Sequence, residues 1–199
     1  MKKIKGDKEA EILGAAVRVF ARNGFHRSKM AAIAQEAGVS AGTLYNYFSD
    51  KDHMFDRIFD DMCKAFYAGI EPLRTRDDFS CLEKLEGAVD LVFDLLGPYP
   101  DLITVFANEF EPRIKEGDPS FMADYNRFKA VFISLIERGA EEGGFNSNIP
   151  APIACEFIMG GIKRIIYAMA LEPDRYSLSF MRQNVKLMIR RGILLHGEQ

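Results

Sequence analysis

The chain has 199 residues, of which 48% are hydrophobic and 28% are charged, and its net charge is −3. This balance is typical of a globular protein and excludes a disordered or low-complexity chain. No apolar run is long enough to cross a membrane, and the N-terminal stretch MKKIKGDKEAE lacks the apolar core of a secretion signal. We therefore expect a cytoplasmic protein with no membrane partner.

Candidate residues for a metal site or a disulfide are scattered along the chain: Cys63, Cys81, Cys155, His26, His53 and His196. Their number and spacing fit neither a zinc site nor a disulfide framework, so we expect three reduced, half-buried thiols rather than a redox sensor, with no metal and no cofactor. The sequence has no phosphate-binding loop, no GxSxG, no HExxH and no GxGxxG after a strand. It therefore does not predict an enzyme.

Apolar residues recur at helical spacing along most of the chain and predict an all-α protein. The first predicted helix spans about residues 7–23 and ends at Gly24. A basic arm precedes it, with Lys2, Lys3, Lys5 and Lys8. A frayed terminus is the simpler interpretation of this arm, and contact with a DNA groove or phosphates is the alternative.

The stretch SKMAAIAQEAGVSAGTLYNYFSDK, which begins at Ser28, predicts two short helices joined by a tight turn. Ser28 is expected to cap the first of them and Ser40 the second. Gly38 lies where the chain must turn through a conformation that favours glycine. Leu44 and Phe48, four residues apart, give the second helix a buried stripe. This pattern is typical of a helix-turn-helix.

The outward face of the second short helix carries no acidic side chain, which suits contact with DNA. It presents Ser40, Ala41, Thr43, Tyr45, Asn46 and Tyr47. Lys51 begins the next helix, where the macrodipole disfavours a cation, and a bound phosphate would account for its position. Through Met54 the chain has nine basic and six acidic residues, or +3, which leaves −6 for the rest. A basic end on an acidic body fits a DNA reader with a regulatory body.

Six further helices are predicted after the helix-turn-helix. They span about residues 51–70, 80–96, 102–111, 120–143, 152–171 and 177–195. Pro72 and Pro112 are expected to end the first and the third of them. The last two are so apolar that a monomer would expose them, and we therefore expect a homodimer through residues 152–171 and 177–195. Gly160 and Gly161 would allow another helix to approach closely.

Aromatic residues of the central helices predict either an apolar effector pocket or ordinary core packing. The candidate pocket residues are Phe66, Phe106, Phe110, Tyr125, Phe128, Phe132 and Phe157. A ligand of this pocket would be mainly hydrophobic, such as a fatty acyl chain, an aromatic compound or a lipophilic drug. Arg113, Lys163 and Arg164 are possible anchors for an acidic head group, although solvated surface is the simpler interpretation of each.

The helix-turn-helix stretch resembles the DNA-binding motif of the TetR family of bacterial transcriptional regulators. The matching residues are Ile33-Ala34, Ala37-Gly38-Val39-Ser40, Gly42-Thr43-Leu44-Tyr45, Tyr47-Phe48 and Lys51, together with ILGAAVRVFARNGF from Ile12 to Phe25. The resemblance implies that DNA would contact Ser28, Lys29, Ser40, Gly42, Thr43, Tyr45, Asn46, Tyr47 and Lys51. Position 46 is variable in the family, so the resemblance assigns Asn46 no base preference.

The same resemblance implies a DNA-binding domain at residues 1–50 and an effector-binding and dimerisation domain at residues 51–199. A dimeric repressor would then bind a near-palindromic operator of double-stranded DNA and be released by a hydrophobic small molecule. The alternative is a helix-turn-helix module that packages DNA or binds protein without effector control. Preference for one operator over bulk DNA distinguishes regulation from packaging.

Overall fold

The computed structural model describes residues 5–172, 175 and 177–193, and this part of the chain forms nine α-helices and no β-strand. The helices are α1 (Lys5–Asn23), α2 (Met30–Glu36), α3 (Ala41–Tyr47), α4 (Lys51–Arg74), α5 (Cys81–Leu96), α6 (Pro100–Glu116), α7 (Pro119–Glu141), α8 (Ala151–Leu171) and α9 (Leu178–Ile193). The all-α prediction is confirmed.

The predicted basic arm is only partly described. Helix α1 begins two residues earlier than predicted, so Lys5 and Lys8 lie within it rather than in an arm before it. Lys8 donates to Glu11 at 2.8 Å. Lys2 and Lys3 lie outside the described residues, as do positions 194 and 195 of the predicted last helix and His196.

Two helices continue past the prolines that were predicted to end them. Helix α4 includes Pro72 and extends to Arg74, and α6 includes Pro112 and extends to Glu116. A proline inside a helix removes one N–H donor and leaves the carbonyl four residues earlier without its helical partner. Those carbonyls belong to residues 68 and 108, which are both exposed, so water can satisfy them.

The described side chains form two hydrophobic clusters, and α4 contributes to both. One cluster joins α1 to α3, which we call the N-terminal unit, to the first half of α4 and to parts of α6 and α7. The other joins the second half of α4 to α5, α7, α8 and α9. Phe55 and Phe59 of α4 lie in the first cluster, and Phe66 and Ile70 lie in the second. Helix α4 therefore connects the N-terminal unit to the remaining helices, which we call the body.

The turn between α7 and α8 depends on a close contact at Gly139. The ring of Phe145 packs against this glycine so tightly that a Cβ atom there would lie 2.2 Å from a ring carbon. Phe145 is fully buried by this arrangement. The chain reverses at Gly143, whose φ of +74° favours glycine. The turn therefore fixes the end of α7 against the start of α8.

A ladder of ion pairs joins α9 to α5. Its pairs are Glu86 with Arg190, Asp90 with Lys186, and Asp94 with Arg182. Each helix contributes one charge per turn, because both series have four-residue spacing. Lys186 also lies 3.8 Å from Glu86, and Arg182 lies 3.9 Å from Asp90. The ladder therefore aligns α9 along the body by charge as well as by apolar contact.

Candidate DNA-binding surface and effector cavity

Helices α2 and α3 form the predicted helix-turn-helix. Gly38 between them has a φ of +63°, and Ser40 caps α3 by accepting from the Thr43 N–H at 3.0 Å. Leu44 and Phe48 are buried, as the four-residue spacing predicted. Local sequence therefore accounts for this part of the fold, because cap, turn and buried stripe all lie within a few residues of one another.

Helix α2 is fixed to α1 by charge. Glu36 of α2 accepts from Arg18 and from Arg22 of α1, each at 2.8 Å. These two hydrogen bonds lower the pKa of Glu36, so its carboxylate stays charged over a wider pH range. Ile33 and Ala34 on the other face of α2 are buried where the helices cross. Both contacts hold the motif against α1.

Most predicted DNA-contacting side chains share one open surface around α3. Ser40, Gly42, Tyr45 and Asn46 are exposed, and Lys29 is exposed at the N-cap of α2. Thr43 and Tyr47 are half-buried at the edge of this surface. Tyr45 extends furthest, with 56% of its surface exposed. No acidic side chain lies on α3, so the surface can approach phosphates without repulsion.

Ser28 does not cap α2, contrary to the prediction. Lys29 is the N-cap residue and makes no capping bond with its side chain. The Ser28 hydroxyl is buried and donates instead to the Gly24 carbonyl at 2.8 Å, with the Val19 carbonyl at 3.3 Å. It therefore satisfies carbonyl groups at the end of α1, and its side chain points away from the open surface around α3.

Lys51 has structural partners that the sequence did not suggest. Its ammonium group donates to the carbonyl oxygens of Phe25 at 2.9 Å and His26 at 3.0 Å, and lies 4.9 Å from the centre of the Phe25 ring. Asp50 caps α4 by accepting from the His53 N–H at 2.8 Å. A phosphate is therefore not the sole explanation for a cation at this helix start. One of the three ammonium hydrogens remains for another acceptor.

An apolar cavity of about 140 Å³ lies between α4, α5, α6, α7 and α8. Five of the seven predicted pocket residues line it: Phe66, Phe106, Phe110, Tyr125 and Phe128. Further lining residues that the sequence analysis missed are Met62, Val92, Leu95, Leu96, Met159 and Ile162. Burial raises the pKa of Tyr125, so its hydroxyl is neutral at physiological pH.

The other two predicted pocket residues lie elsewhere. Phe132 is fully buried behind the cavity, where its ring stacks on Phe66 at 5.9 Å. Phe157 points to the other side of α8 and is 81% exposed. Apolar periodicity had placed both on helices next to the cavity but could not determine which direction each ring faces.

Charged side chains surround the mouth of the cavity. Glu111 of α6 pairs with Lys163 of α8, and Glu156 of α8 pairs with Lys129 of α7. Three of these four, all except Lys129, line the cavity itself. Arg113 of α6, another of the three possible anchors, is buried and pairs with Asp52 and Asp56 of α4. It is therefore neither solvated surface nor part of the cavity.

The outer face of α8 and α9 is an exposed apolar groove. Ile153, Phe157 and Met188 are 63%, 81% and 64% exposed on it. Gly161 lines the same groove, and a Cβ atom there would meet no other atom within 4 Å. Gly160 on the cavity side is equally open. Among the described residues, no helix lies within contact distance of a Cβ atom at either glycine, so the close approach that the sequence allows is not made there.

The three cysteines lie in the hydrophobic clusters. Cys63, Cys81 and Cys155 are free thiols, as predicted, but all three are buried rather than half-buried, and burial raises the pKa of Cys63 to about 12. The described residues contain no group of acidic, histidine and cysteine side chains able to hold a metal ion. None of the described helices is long and apolar enough to span a bilayer.

Known proteins share both the N-terminal motif and the whole fold. Residues 12–58 match the family model of the bacterial regulatory proteins of the tetR family. The fatty acid metabolism regulator protein of Bacillus subtilis is 25% identical over 191 residues, which cover 96% of this chain and 98% of the relative. Both the matched segment and this relative point to regulators of transcription and not to enzymes.

Two solved structures have the same architecture. The fatty acid degradation regulator FadR of Bacillus halodurans superimposes with a TM-score of 0.83 at 25% identity, covering 96% of this chain and 98% of that one. FadR of Bacillus subtilis, solved in complex with stearoyl-CoA, gives a TM-score of 0.76 at 24% identity over 92% and 98% of the two chains. Together with the helix-turn-helix and its open face, these similarities show a DNA-binding transcriptional regulator whose residues 12–58 match the TetR family.

Proposed function

We propose that the protein is a dimeric repressor that binds a near-palindromic operator and is released by a mainly hydrophobic effector. Residues 1–50 would form the DNA-binding domain and residues 51–199 the effector-binding and dimerisation domain. The observation that carries the proposal is the connection of two sites by one helix. Helix α4 begins beside the exposed face of α3 and continues along the cavity, where Met62 and Phe66 line the wall.

The DNA contact would divide between base reading and phosphate binding. Ser40, Gly42, Thr43 and Asn46 lie on or beside the helix that would enter the major groove. Tyr45 and Tyr47 of the same helix, together with Lys29 and Lys51 outside it, would contact phosphates, which set register and orientation. At Ser28 we propose a contact through the backbone N–H, because its hydroxyl is buried and already bonded.

The outer face of α8 and α9 supports dimerisation. Its exposed phenylalanine, isoleucine and methionine side chains line a continuous groove, and a second copy related by a two-fold axis would cover them. The open space at Gly161 would admit a helix of that copy at close range. Two α3 helices would then lie about one turn of DNA apart, which matches a palindromic site.

The cavity supports an apolar effector that enlarges it on binding. Its volume of about 140 Å³ is enough for a group of roughly benzene size. A long acyl chain would have to displace side chains of α4 and α6, and that displacement gives the ligand different affinities for the two states of the protein. Fatty acyl thioesters of coenzyme A are the first candidates, since a similar structure was solved with stearoyl-CoA.

The proposal is tested by measuring binding to duplex DNA from beside the protein's own gene, with excess unrelated DNA as competitor. Tyr45→Ala should weaken binding at least 10-fold, whereas Tyr99→Ala removes a similarly exposed ring from the body and should change nothing. Selective binding that weakens with salt would support regulation. Equal affinity for any duplex would overturn it in favour of packaging.

The effector is tested on the same complex. Stearoyl-CoA should release the DNA, and coenzyme A without an acyl chain should not. Release by both would mean that the cavity is not the site of action. If neither releases the DNA, aromatic and lipophilic compounds are screened for release of the same duplex. An effector that releases DNA from Phe110→Ala as readily as from the wild type would exclude this cavity as its binding site.

A further inference from the structure

Arg113 lies at a junction of three parts of the chain. It belongs to α6, yet its guanidinium donates to Asp52 at 2.6 Å and to Asp56 at 3.1 Å, both in the first turns of α4. The same group lies 5.0 Å from the centre of the Phe25 ring and 4.4 Å from that of Phe55. Phe25 precedes α2, so this one side chain joins α6, α4 and the loop that leads into the helix-turn-helix.

Its burial makes this contact specific. Only 6% of the Arg113 side chain is exposed. Because arginine is almost never buried unless its charge is paired, the two carboxylates are needed to hold it there. Two carboxylates one helical turn apart match the two terminal nitrogens of a planar guanidinium, and the rings on both sides enclose it. Lysine has the same charge but cannot donate in this fork or stack in this way.

Two further contacts lie at the same junction. Glu109, one turn before Arg113 on α6, is buried and lies 3.6 Å from His26, which follows Phe25 in the loop. Lys51 donates to the carbonyl oxygens of Phe25 and His26 from the start of α4. The loop between α1 and α2 is therefore held from α6 and from α4 at once.

The junction is also continuous with the cavity wall. Phe106 and Phe110 of α6 line the cavity. The ring of Phe106 meets Phe55 edge-on at 5.7 Å, and Phe55 meets Phe25 edge-on at 5.9 Å. Helix α6 thus contacts the cavity with one part and the N-terminal unit with the next turn. A shift of α6 at Phe110 would be passed to Arg113, because the two residues are three positions apart on the same helix.

We propose that Arg113 is the positioning residue that fixes the orientation of the N-terminal unit on the body and transmits movement of the cavity wall to it. The inference rests on the proposed function for its consequence, which is control of operator affinity. The junction itself is a property of the free protein and can be measured without DNA.

The test compares Arg113→Met with Arg127→Met by amide hydrogen exchange of the free protein. Methionine keeps much of the apolar volume and removes the charge. Arg127 is exposed and also stacks on a ring of α4, Tyr67 at 4.3 Å, but in the second half of that helix, so it controls for the loss of an arginine–ring contact away from the junction. In Arg113→Met, amides of residues 24–30 and of the first turns of α4 should exchange at least 10-fold faster, with α7 and α8 unchanged.

A double-mutant cycle tests transmission. Phe110→Ala enlarges the cavity from α6 and should accelerate exchange in the loop of residues 24–29 when Arg113 is present. In the Arg113→Met background this effect should disappear. Additive effects would overturn transmission, and unchanged exchange in Arg113→Met would overturn positioning. Uniformly faster exchange in the unit and the body would mean a general loss of stability and would also overturn it.

The double variant Asp52→Asn, Asp56→Asn removes the same ion pairs by changing the two carboxylates, which are more exposed than Arg113. It replaces Arg113→Met in the test if that variant does not fold. It should produce the same local acceleration. Operator affinity is measured last and should fall about 10-fold in both variants and not in Arg127→Met. If the wild type binds no operator, the proposed function fails, while the exchange result still decides the role of Arg113.

Discussion

Replacing Lys51 by methionine would separate the two roles expected of this side chain. Its ammonium donates to two loop carbonyls at 2.9 and 3.0 Å, in a half-buried site. Charge-assisted bonds of this kind contribute about 1.5–3 kcal/mol when fully buried. With solvent screening we expect Lys51→Met to lose about 1–2 kcal/mol in total. For a chain of this length that lowers the melting temperature by about 2–8 °C.

The same substitution should change the salt dependence of operator binding. If the remaining ammonium hydrogen contacts a phosphate, its loss lowers the slope of log K against log salt by about 0.9. Raising the salt from about 50 to about 200 mM weakens operator binding by both proteins. The factor by which the wild type loses affinity should be about 3 times the factor for Lys51→Met. Fluorescence anisotropy with a labelled operator at four salt concentrations measures the slope, and circular dichroism measures melting.

Lys29→Met is the matched control, because Lys29 is exposed at the N-cap of α2. It should lower the salt slope by a similar amount and leave the melting temperature unchanged. A lower melting temperature with an unchanged slope in Lys51→Met would show that Lys51 acts only as a structural contact. A lower slope with an unchanged melting temperature would refute the stabilising role of the two carbonyl contacts.

Three more predictions concern stability and assembly. Gly139→Ala should lower the free energy of unfolding by about 1–3 kcal/mol, measured with urea, since the new Cβ would force the buried Phe145 ring to move. Burial raises the pKa of Glu109, so its charged form weakens the fold above that pKa, and stability should rise on acidification toward the unfolded value. Thermal unfolding at about pH 7.5 and about pH 5 should show that acidification favours the folded wild type more than it favours folded Glu109→Gln. Phe157→Asp should give a monomer in sedimentation velocity, whereas Tyr99→Asp, at an exposed aromatic ring outside this groove, should remain a dimer.

The helices and the helix-turn-helix were predictable because their determinants are local. The Ser40 cap, the glycine turn at Gly38 and the buried pair of Leu44 and Phe48 all lie within eleven consecutive residues. The proline rule failed at Pro72 and Pro112, since it ignores whether water can reach the carbonyl that loses its partner.

The junction around Arg113 could not be read from the chain, because its contacts are distant in sequence. Arg113 and Asp52 are 61 residues apart, and Lys51 and Phe25 are 26 apart. The direction of Phe157 had a signal that was missed. Ile153, Phe157 and Gly161 form a stripe at four-residue spacing, separate from the buried stripe of Ala154, Ile158 and Ile162.

The cavity depends on where packing is incomplete, which no stripe encodes. Periodicity indicates which face of a helix is apolar. It places Phe128 and Phe132 on the same apolar face of α7 and does not distinguish which ring lines a cavity. Only the assembled helices place Phe128 beside open space and Phe132 behind it. A helix with two apolar stripes, such as α8, must similarly be assigned one inner and one outer face by its neighbours.

The ion-pair ladder between α5 and α9 has a consequence for how the last helix can move. Because acids and bases both recur every four residues, a slide of α9 by one turn would exchange partners rather than abolish pairing. Lys186 would meet Glu86 and Arg182 would meet Asp90, two pairs that already lie within 4 Å. Intermediate positions would separate charges on both helices. Sliding of α9 along the body is therefore favoured in steps of about 6 Å and resisted between them.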